Sequence, residues 1–100
     1  MIIVYGIRDQ LDPIKHRLSE VIHGCMQSVL ELPADKRAHR FVPLAAEDFY
    51  VPGGRSAAYT VIEINMMQGR TEHTQKTLIK TLFARLEAEL GLAPAGAFVA

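Results

Sequence analysis
The sequence predicts a two-layer α+β domain: a duplicated β-α-β unit forming a four-stranded mixed sheet with two helices on one face. Three observations predict it. Shifted by 60 residues, the chain repeats its apolar positions: Ile2 on Ile62, Val4 on Ile64, Leu18 on Leu78, Ile22 on Leu82, Met26 on Leu86, Leu30 on Leu90 and Leu32 on Leu92. Each copy reads as a run of β-formers followed by a stripe of apolar residues at helical spacing. A β-α-β crossover makes its two strands parallel and right-handed, so two copies side by side put both helices on the same face. With only two copies this is a doubled unit, not a solenoid.

The first copy, residues 1–46, opens on Ile2-Ile3-Val4-Tyr5-Gly6-Ile7, the nearly continuous apolar run of a buried strand. Asp12-Pro13 joins a capping residue to a proline at the first helical position. A helix is expected from there to about Glu31, its stripe being Ile14, Leu18, Val21, Ile22, Cys25 and Val29. Leu32-Pro33 ends it, because the residue before proline avoids helical angles. His39 to Leu44 reads as a strand, with Pro43 marking an edge position or the strand's end. Pro52-Gly53-Gly54 makes 46–56 a loop.

The second copy, residues 59–100, starts with a strand over 59–67. Ile62, Ile64 and Met66 face one way in it, and Val61, Glu63 and Asn65 the other. Gly69 supplies the backbone angles of a sharp corner. Thr71 then caps a helix to about Glu89 that buries Leu78, Ile79, Leu82, Phe83, Leu86 and Leu90, with Gly91 as its stop. The tail from Pro94 begins one more strand. Position 99 corresponds to 39, so that last strand is expected to be shortened.

Composition bounds the function. Hydrophobic residues are 49% of 100, enough for the modest core of a single domain over 1–100. Lys plus Arg equals Asp plus Glu at 11 each, with no basic run, which argues against a nucleic-acid partner. No apolar run approaches a membrane span, and no secretory leader is visible. Cys25 is the only cysteine and suits a reducing compartment, so the expected location is cytoplasmic. It sits in the helical stripe and reads as core, while Met66 and Met67 read as filler. The bare sheet face would mix Tyr5, Glu63 and Asn65 with Ile3, Ile7 and Val61, a surface expected to be covered by another subunit. His16, Glu20 and His23 share a helix face at metal-ligand spacing. That face lies opposite the apolar stripe, so it reads as solvated and no metal is expected.

Arg70 stands at the corner Gly69-Arg70-Thr71, beside the free N–H groups of a helix N-terminus, where anions bind. His73, one turn on, is a weak acid-base candidate. No nucleophilic triad, phosphate loop or dinucleotide fingerprint is present.

Ile2-Ile-Val-Tyr5, Leu32-Pro33-Ala-Asp35, Arg40-Phe41-Val42, Glu47-Asp-Phe-Tyr50 and above all Gln68-Gly-Arg-Thr71 with Gln75-Lys76 resemble the tautomerase superfamily. That superfamily includes 4-oxalocrotonate tautomerase, malonate semialdehyde decarboxylase and macrophage migration inhibitory factor; the match is to its two-unit branch, up to about Gly91. The resemblance implies a homotrimer with a site between neighbouring subunits, no cofactor, and small 2-oxo, enol or halogenated acids as substrates. It implies an N-terminal proline as proton-transfer group and arginines that hold the substrate carboxylate. Arg70 is the first candidate for that role. Arg40 either reaches the pocket or pairs with an acidic neighbour, the pairing being favoured. Arg55 in the Gly-Gly-Arg-Ser loop and Tyr50 complete the substrate-binding set, the alternatives being a solvated loop arginine and a tyrosine that packs at the trimer interface.

Position 2 is isoleucine, where the family has proline. Methionine before so bulky a residue is expected to be retained. The chain then offers only the Met1 amine, displaced by one residue, roughly 3.3–3.6 Å along an extended strand. A general base must lie within hydrogen-bond reach of its proton, so proline-type tautomerisation is expected to be impaired while a small-carboxylate pocket persists. The alternative is an active tautomerase, dehalogenase or decarboxylase with a non-proline base.

Overall fold
The alternation of β-formers and helical stripes is realised in a small α+β fold with a mixed sheet. The structure, a computed structural model, describes residues 1–65, 69–92 and 96–99. Strand β1 (Ile2–Ile7) is followed by a short helix α1 (Arg8–Leu11), helix α2 (Lys15–Leu30) and strand β2 (His39–Leu44). A 3-10 turn at Ala46–Asp48 leads on to β3 (Thr60–Ile64), helix α3 (Glu72–Leu90) and β4 (Ala97–Val99). Met66, Met67 and Gln68, and residues 93–95, lie outside the described residues.

Strand β1 is central. It pairs parallel to β2, with Ile2 beside His39 and Ile7 beside Leu44. On its other side it runs antiparallel to β3, with Ile2 opposite Ile64 and Val4 opposite Ile62. Most of the pairing lies in this β2-β1-β3 core, and the short β4 runs parallel along the free edge of β3, Ile62 beside Val99. Ile2, Val4 and Gly6 of β1 are buried and Ile3, Tyr5 and Ile7 half-buried, so this strand has one covered face and one bare one, where the continuous apolar run reads as buried on both.

Both helices cover the same face. Leu18, Ile22, Cys25 and Met26 of α2 meet Leu78, Leu82 and Leu86 of α3 over Ile2, Val4 and Ile62. All ten are at most 2% exposed. Burying a large aliphatic side chain contributes about 1.5–3 kcal/mol, so these side chains dominate the stability. Gly24 has a packing reason. A Cβ there would lie 2.6 Å from Arg85 Nη1, and its absence lets Arg85 of α3 lie across α2, with Nε donating to Glu89 Oε2 at 2.7 Å.

The two helix starts differ. Thr71 caps α3 as the sequence implies, its hydroxyl oxygen accepting from the Thr74 N–H at 3.1 Å, and Gly91 ends the helix with φ of 66°. The expected Asp12-Pro13 start fails. Residues 8–11 already turn helically, Asp12 ends that turn with its N–H donating to Arg8 O, and α2 begins at Lys15 with no side-chain cap. Asp12 instead pairs with Lys15 Nζ at 3.4 Å. Burial of Leu11 beneath β1, at 2% exposure, accounts for the early turn. At the other end of α2, Glu31 takes a left-handed conformation (φ 57°, ψ 33°), which costs an L residue roughly 1–2 kcal/mol.

Replacing Glu31 with glycine relieves that strain and returns part of it through unfolded-chain entropy. The expected result is a net gain of about 0.5–1 kcal/mol, read as a higher urea midpoint at unchanged slope; a midpoint at or below wild type refutes the strain. Leu82→Ala should cost about 2–5 kcal/mol in the same titration, because its cavity lies between α2, α3 and the sheet.

Candidate functional site
The sheet sorts the sequence-derived site residues to its two ends. Strands β1 and β2 start, and β3 finishes, at one end: Asn65 N donates to Met1 O at 2.9 Å and Ile2 N to Ala38 O at 3.0 Å. Met1, His39, Arg40 and the corner carrying Arg70 and His73 belong to this end. The loop between β2 and β3 leaves and re-enters at the other end, about 20 Å away along six strand residues. Arg55 and Tyr50 lie on that loop, so one chain does not bring them to Arg40 and Arg70.

At the Met1 end, Ile3 is flanked by Arg40 and Glu63 on the bare face. Among the described residues Arg40 does not pair with an acidic neighbour: its Nη1 donates to the His39 carbonyl at 3.0 Å. Glu63 is occupied from its own side of the sheet, accepting from Asn65 Nδ2 at 2.9 Å and from the Tyr5 hydroxyl at 3.3 Å. Loss of water around the Tyr5 phenol, then the Glu63 charge and hydrogen bond, raise its pKa above the ordinary value. The corner is ordered by its own caps. Gly69 has φ of 84°, and Gln75 Nε2 donates to Arg70 O at 3.1 Å. The side chains of Arg70 and His73 are exposed.

At the far end, the Arg55 guanidinium lies 5.8 Å from the centre of the Tyr59 ring, within cation–π range. Arg55 also lines a hollow of about 320 Å³ with Gly54, Ser56, Ala58 and Leu92. Tyr50 is 92% exposed. Larger hollows of about 490 and 360 Å³ lie between α2 and α3 and beside Arg8. Arg40, Arg70 and His73 line none of the three.

Two histidines were read otherwise from sequence. His23, placed on a solvated face, is 3% exposed, because the segment from Ala34 to His39 folds over that side of α2. Its Nε2 donates to Ala34 O at 2.9 Å, which fixes the tautomer, and the buried Nδ1 has no partner among the described residues. Glu20, from the same face, accepts from Arg37 at 2.7 Å, so Glu20 and His23 both hold this segment while His16 stays exposed. His39, which sequence reading gave only as a strand start, is half-buried. Its Nδ1 is 2.8 Å from Ser19 Oγ, and its ring meets His23 edge-on at 6.2 Å. Only the register of β2 on β1 brings His39 to the Met1 end, and no local pattern announces it.

Burial, then the charges of Arg37, His23 and the chain's amino group, push the His39 pKa down to about 4. The unfolded chain, with histidine near 6.5, binds a proton between those values that the folded chain refuses. This contribution to stability is complete above about pH 6.5 and is lost as the pH falls from there towards about 4. His39→Gln is expected to bring the urea midpoints at pH 7 and pH 4.5 closer together than in wild type; an unchanged gap would show that His39 is not held neutral.

A family described as tautomerase enzyme matches residues 36–100. Among solved structures, malonate semialdehyde decarboxylase is similar at 20% identity and a TM-score of 0.87, covering 100% of this chain and 81% of that one. A fused 4-OT, solved as an asymmetric trimer, is 21% identical with a TM-score of 0.80, covering 98% of this chain and 80% of its own. A member of the cis-3-chloroacrylic acid dehalogenase family is 17% identical with a TM-score of 0.85, over 99% and 71%. With a family match across well over half of its length, this chain belongs to the tautomerase family.

Proposed function
We propose that this chain binds a small carboxylate, a 2-oxo or unsaturated acid, in a pocket between subunits of a homotrimer, and that proline-type tautomerisation is impaired. The observation that carries the reading is the exposed Arg40 guanidinium, bonded to a carbonyl and not to a carboxylate, on the sheet end that also holds the Arg70 corner. A cation with no counter-ion among the described residues, next to a bare apolar sheet face, is a ready carboxylate anchor, since charge-assisted bonds to carboxylates are the strong ones. Arg55 and Tyr50, at the other end of the sheet, enter such a pocket from a neighbouring copy. The half-buried Ile3, Tyr5, Ile7 and Val61 support a covered sheet face, and the fused 4-OT relative is a trimer. The shared 60-residue offset of the core pairs supports two copies of one β-α-β unit. No helix of the described residues is long and apolar enough to cross a membrane, and we place the protein in the cytoplasm with Cys25 as a free thiol.

Impairment follows from position 2. The Ile2 side chain is 2% exposed and its N–H is a ladder donor to Ala38 O. An Ile2→Pro change within this chain loses that donor and core packing together, so position 2 is committed to structure. A second reading, an active enzyme with a non-proline base, takes the exposed His73 beside the Arg70 corner as its acid-base group.

Calorimetry with pyruvate or a 2-oxo acid analogue tests the carboxylate pocket. Arg40→Ala and Arg70→Ala are each expected to weaken binding about tenfold or more, the loss of one charge-assisted pair. Absent binding, or binding indifferent to both changes, sinks the pocket. Sedimentation at micromolar concentration should give a trimer, and a stable monomer would remove the inter-subunit site.

A further inference from the structure
Residues 33–38 join α2 to β2 across the side of α2 that holds His23. We infer that this segment is an acid-released strap: protonation of the histidine pair beneath it, His23 and His39, lets it go, together with the start of β2 that carries Arg40. Its tie to a carboxylate site rests on the reading of Arg40 above, whereas the release itself does not.

Polar contacts hold the strap. It starts behind Glu31, whose left-handed backbone makes a strained hinge, and every residue from 33 to 38 is exposed. Among the described residues, two side chains of α2 grip it: His23 Nε2 donates to Ala34 O at 2.9 Å, and Glu20 accepts from Arg37 at 2.7 Å. At its far end Ala38 O accepts from the Ile2 N–H at 3.0 Å, next to the pairing of Ile2 with His39. A segment that buries so little opens at a lower free energy than the core.

What it covers can titrate. His23 is 3% exposed. A carbonyl only accepts, so Nε2 carries the ring proton, and the buried Nδ1 has no partner among the described residues. A second proton there would be a buried donor without an acceptor on a ring now charged. The His39 ring stands edge-on to it at 6.2 Å. Burial first, then Arg37, His23 and the chain's amino group, lower the His39 pKa to about 4.

The charges around the pair do not relieve new cations. Arg37 comes from the strap, the amino group from the start of β1, and Arg40 follows His39 on β2. Helix α2 adds the exposed His16 and Glu20, and Asp35 and Lys36 are exposed at the strap's turn. Glu20 is already taken by Arg37, whose hydrogen bond and charge hold its carboxyl below the usual range, so it stays ionised through mild acid. Once the strap lifts, both rings reach water, where histidine titrates near 6.5. The released form then binds protons that the closed form refuses. Closure is fully favoured above about pH 6.5 and is lost as the pH falls from there towards about 4. His39 alone raises the released fraction about twentyfold from pH 7 to pH 5.

Amide hydrogen exchange of the full chain at pH 7 and pH 5 tests this, read as protection factors so that intrinsic rates cancel. The Ile2 N–H loses its acceptor when the strap leaves. It is expected to be less protected than Leu82 within α3, and to lose about twentyfold or more of its protection at pH 5. The double change His23→Gln, His39→Gln keeps amide donors that do not titrate, so its Ile2 protection should agree within about threefold at the two pH values. Wild-type Ile2 protection that is the same at both pH values overturns the proposal. Protection equal to that of Leu82 also overturns it, since the strap would then leave only when the whole chain unfolds. A double variant that keeps the wild-type fall overturns it too, and where that variant does not fold the wild-type comparison decides. Pyruvate at about 100 times its Kd should raise Ile2 protection about 100-fold at pH 5, because it binds the closed form. Binding that leaves Ile2 unmoved overturns the tie to Arg40. Absence of binding removes the carboxylate reading, and the two-pH comparison still decides the strap.

Discussion
The antiparallel register of β1 on β3, Ile2 opposite Ile64 and Val4 opposite Ile62, is the constraint on which the rest of this molecule depends. It puts four buried aliphatic side chains on one face at the centre of the sheet. The apolar stripes of α2 and α3 can be hidden only there. A slip of one residue would turn this set to the opposite face and strand both helices without a core. Each central strand then takes its parallel partner on its outer side, β2 on β1 and β4 on β3. The Arg85 guanidinium lies over α2 in the room that Gly24 leaves, 2.6 Å from where a Cβ would stand.

The same register decides where charge collects. With β1 and β3 antiparallel, the beginning of one strand meets the end of the other. Met1, His39, Arg40 and Asn65 gather there from parts of the chain up to 64 residues apart. On the bare face the polar groups are shared unequally. Glu63 spends both oxygens on Tyr5 and Asn65, while Arg40, on the other side of β1, holds only a backbone carbonyl among the described residues. The sheet end therefore presents positive charge beside half-buried apolar side chains, a setting that suits a small anion with an apolar body. The helix face beneath it holds the opposite arrangement. A histidine pair is packed under α2, and desolvation together with nearby cations keeps His39 uncharged.

The loop between β2 and β3 adds a geometric limit. Its residues Arg55 and Tyr50 are set on the end of the sheet remote from Arg40, and Arg55 rests on the Tyr59 ring. Any site that used both arginines would be built from more than one chain. This fits the trimer of the fused 4-OT relative.

By itself the sequence determined the helical stripes, the Gly69-Thr71 corner, the Thr71 cap, the Gly91 stop and the faces of β3, because each is a matter of local period or backbone angle. The Gly-Arg-Thr corner and the order of the short motifs were legible for the same reason, and they pointed to the family. Tertiary structure alone decided the rest. Leu11 drew residues 8–11 into a helical turn that Asp12-Pro13 did not foretell, since its reward is burial under β1. His23 turned inward because the segment 34–39 closes over it, and helical spacing counts only the helix's own neighbours. His39 came to lie beside Ile2 through a strand pairing across 37 positions. Periodicity reports which face a side chain takes on its own element, whereas the partner across the sheet is set by the packing of the whole chain.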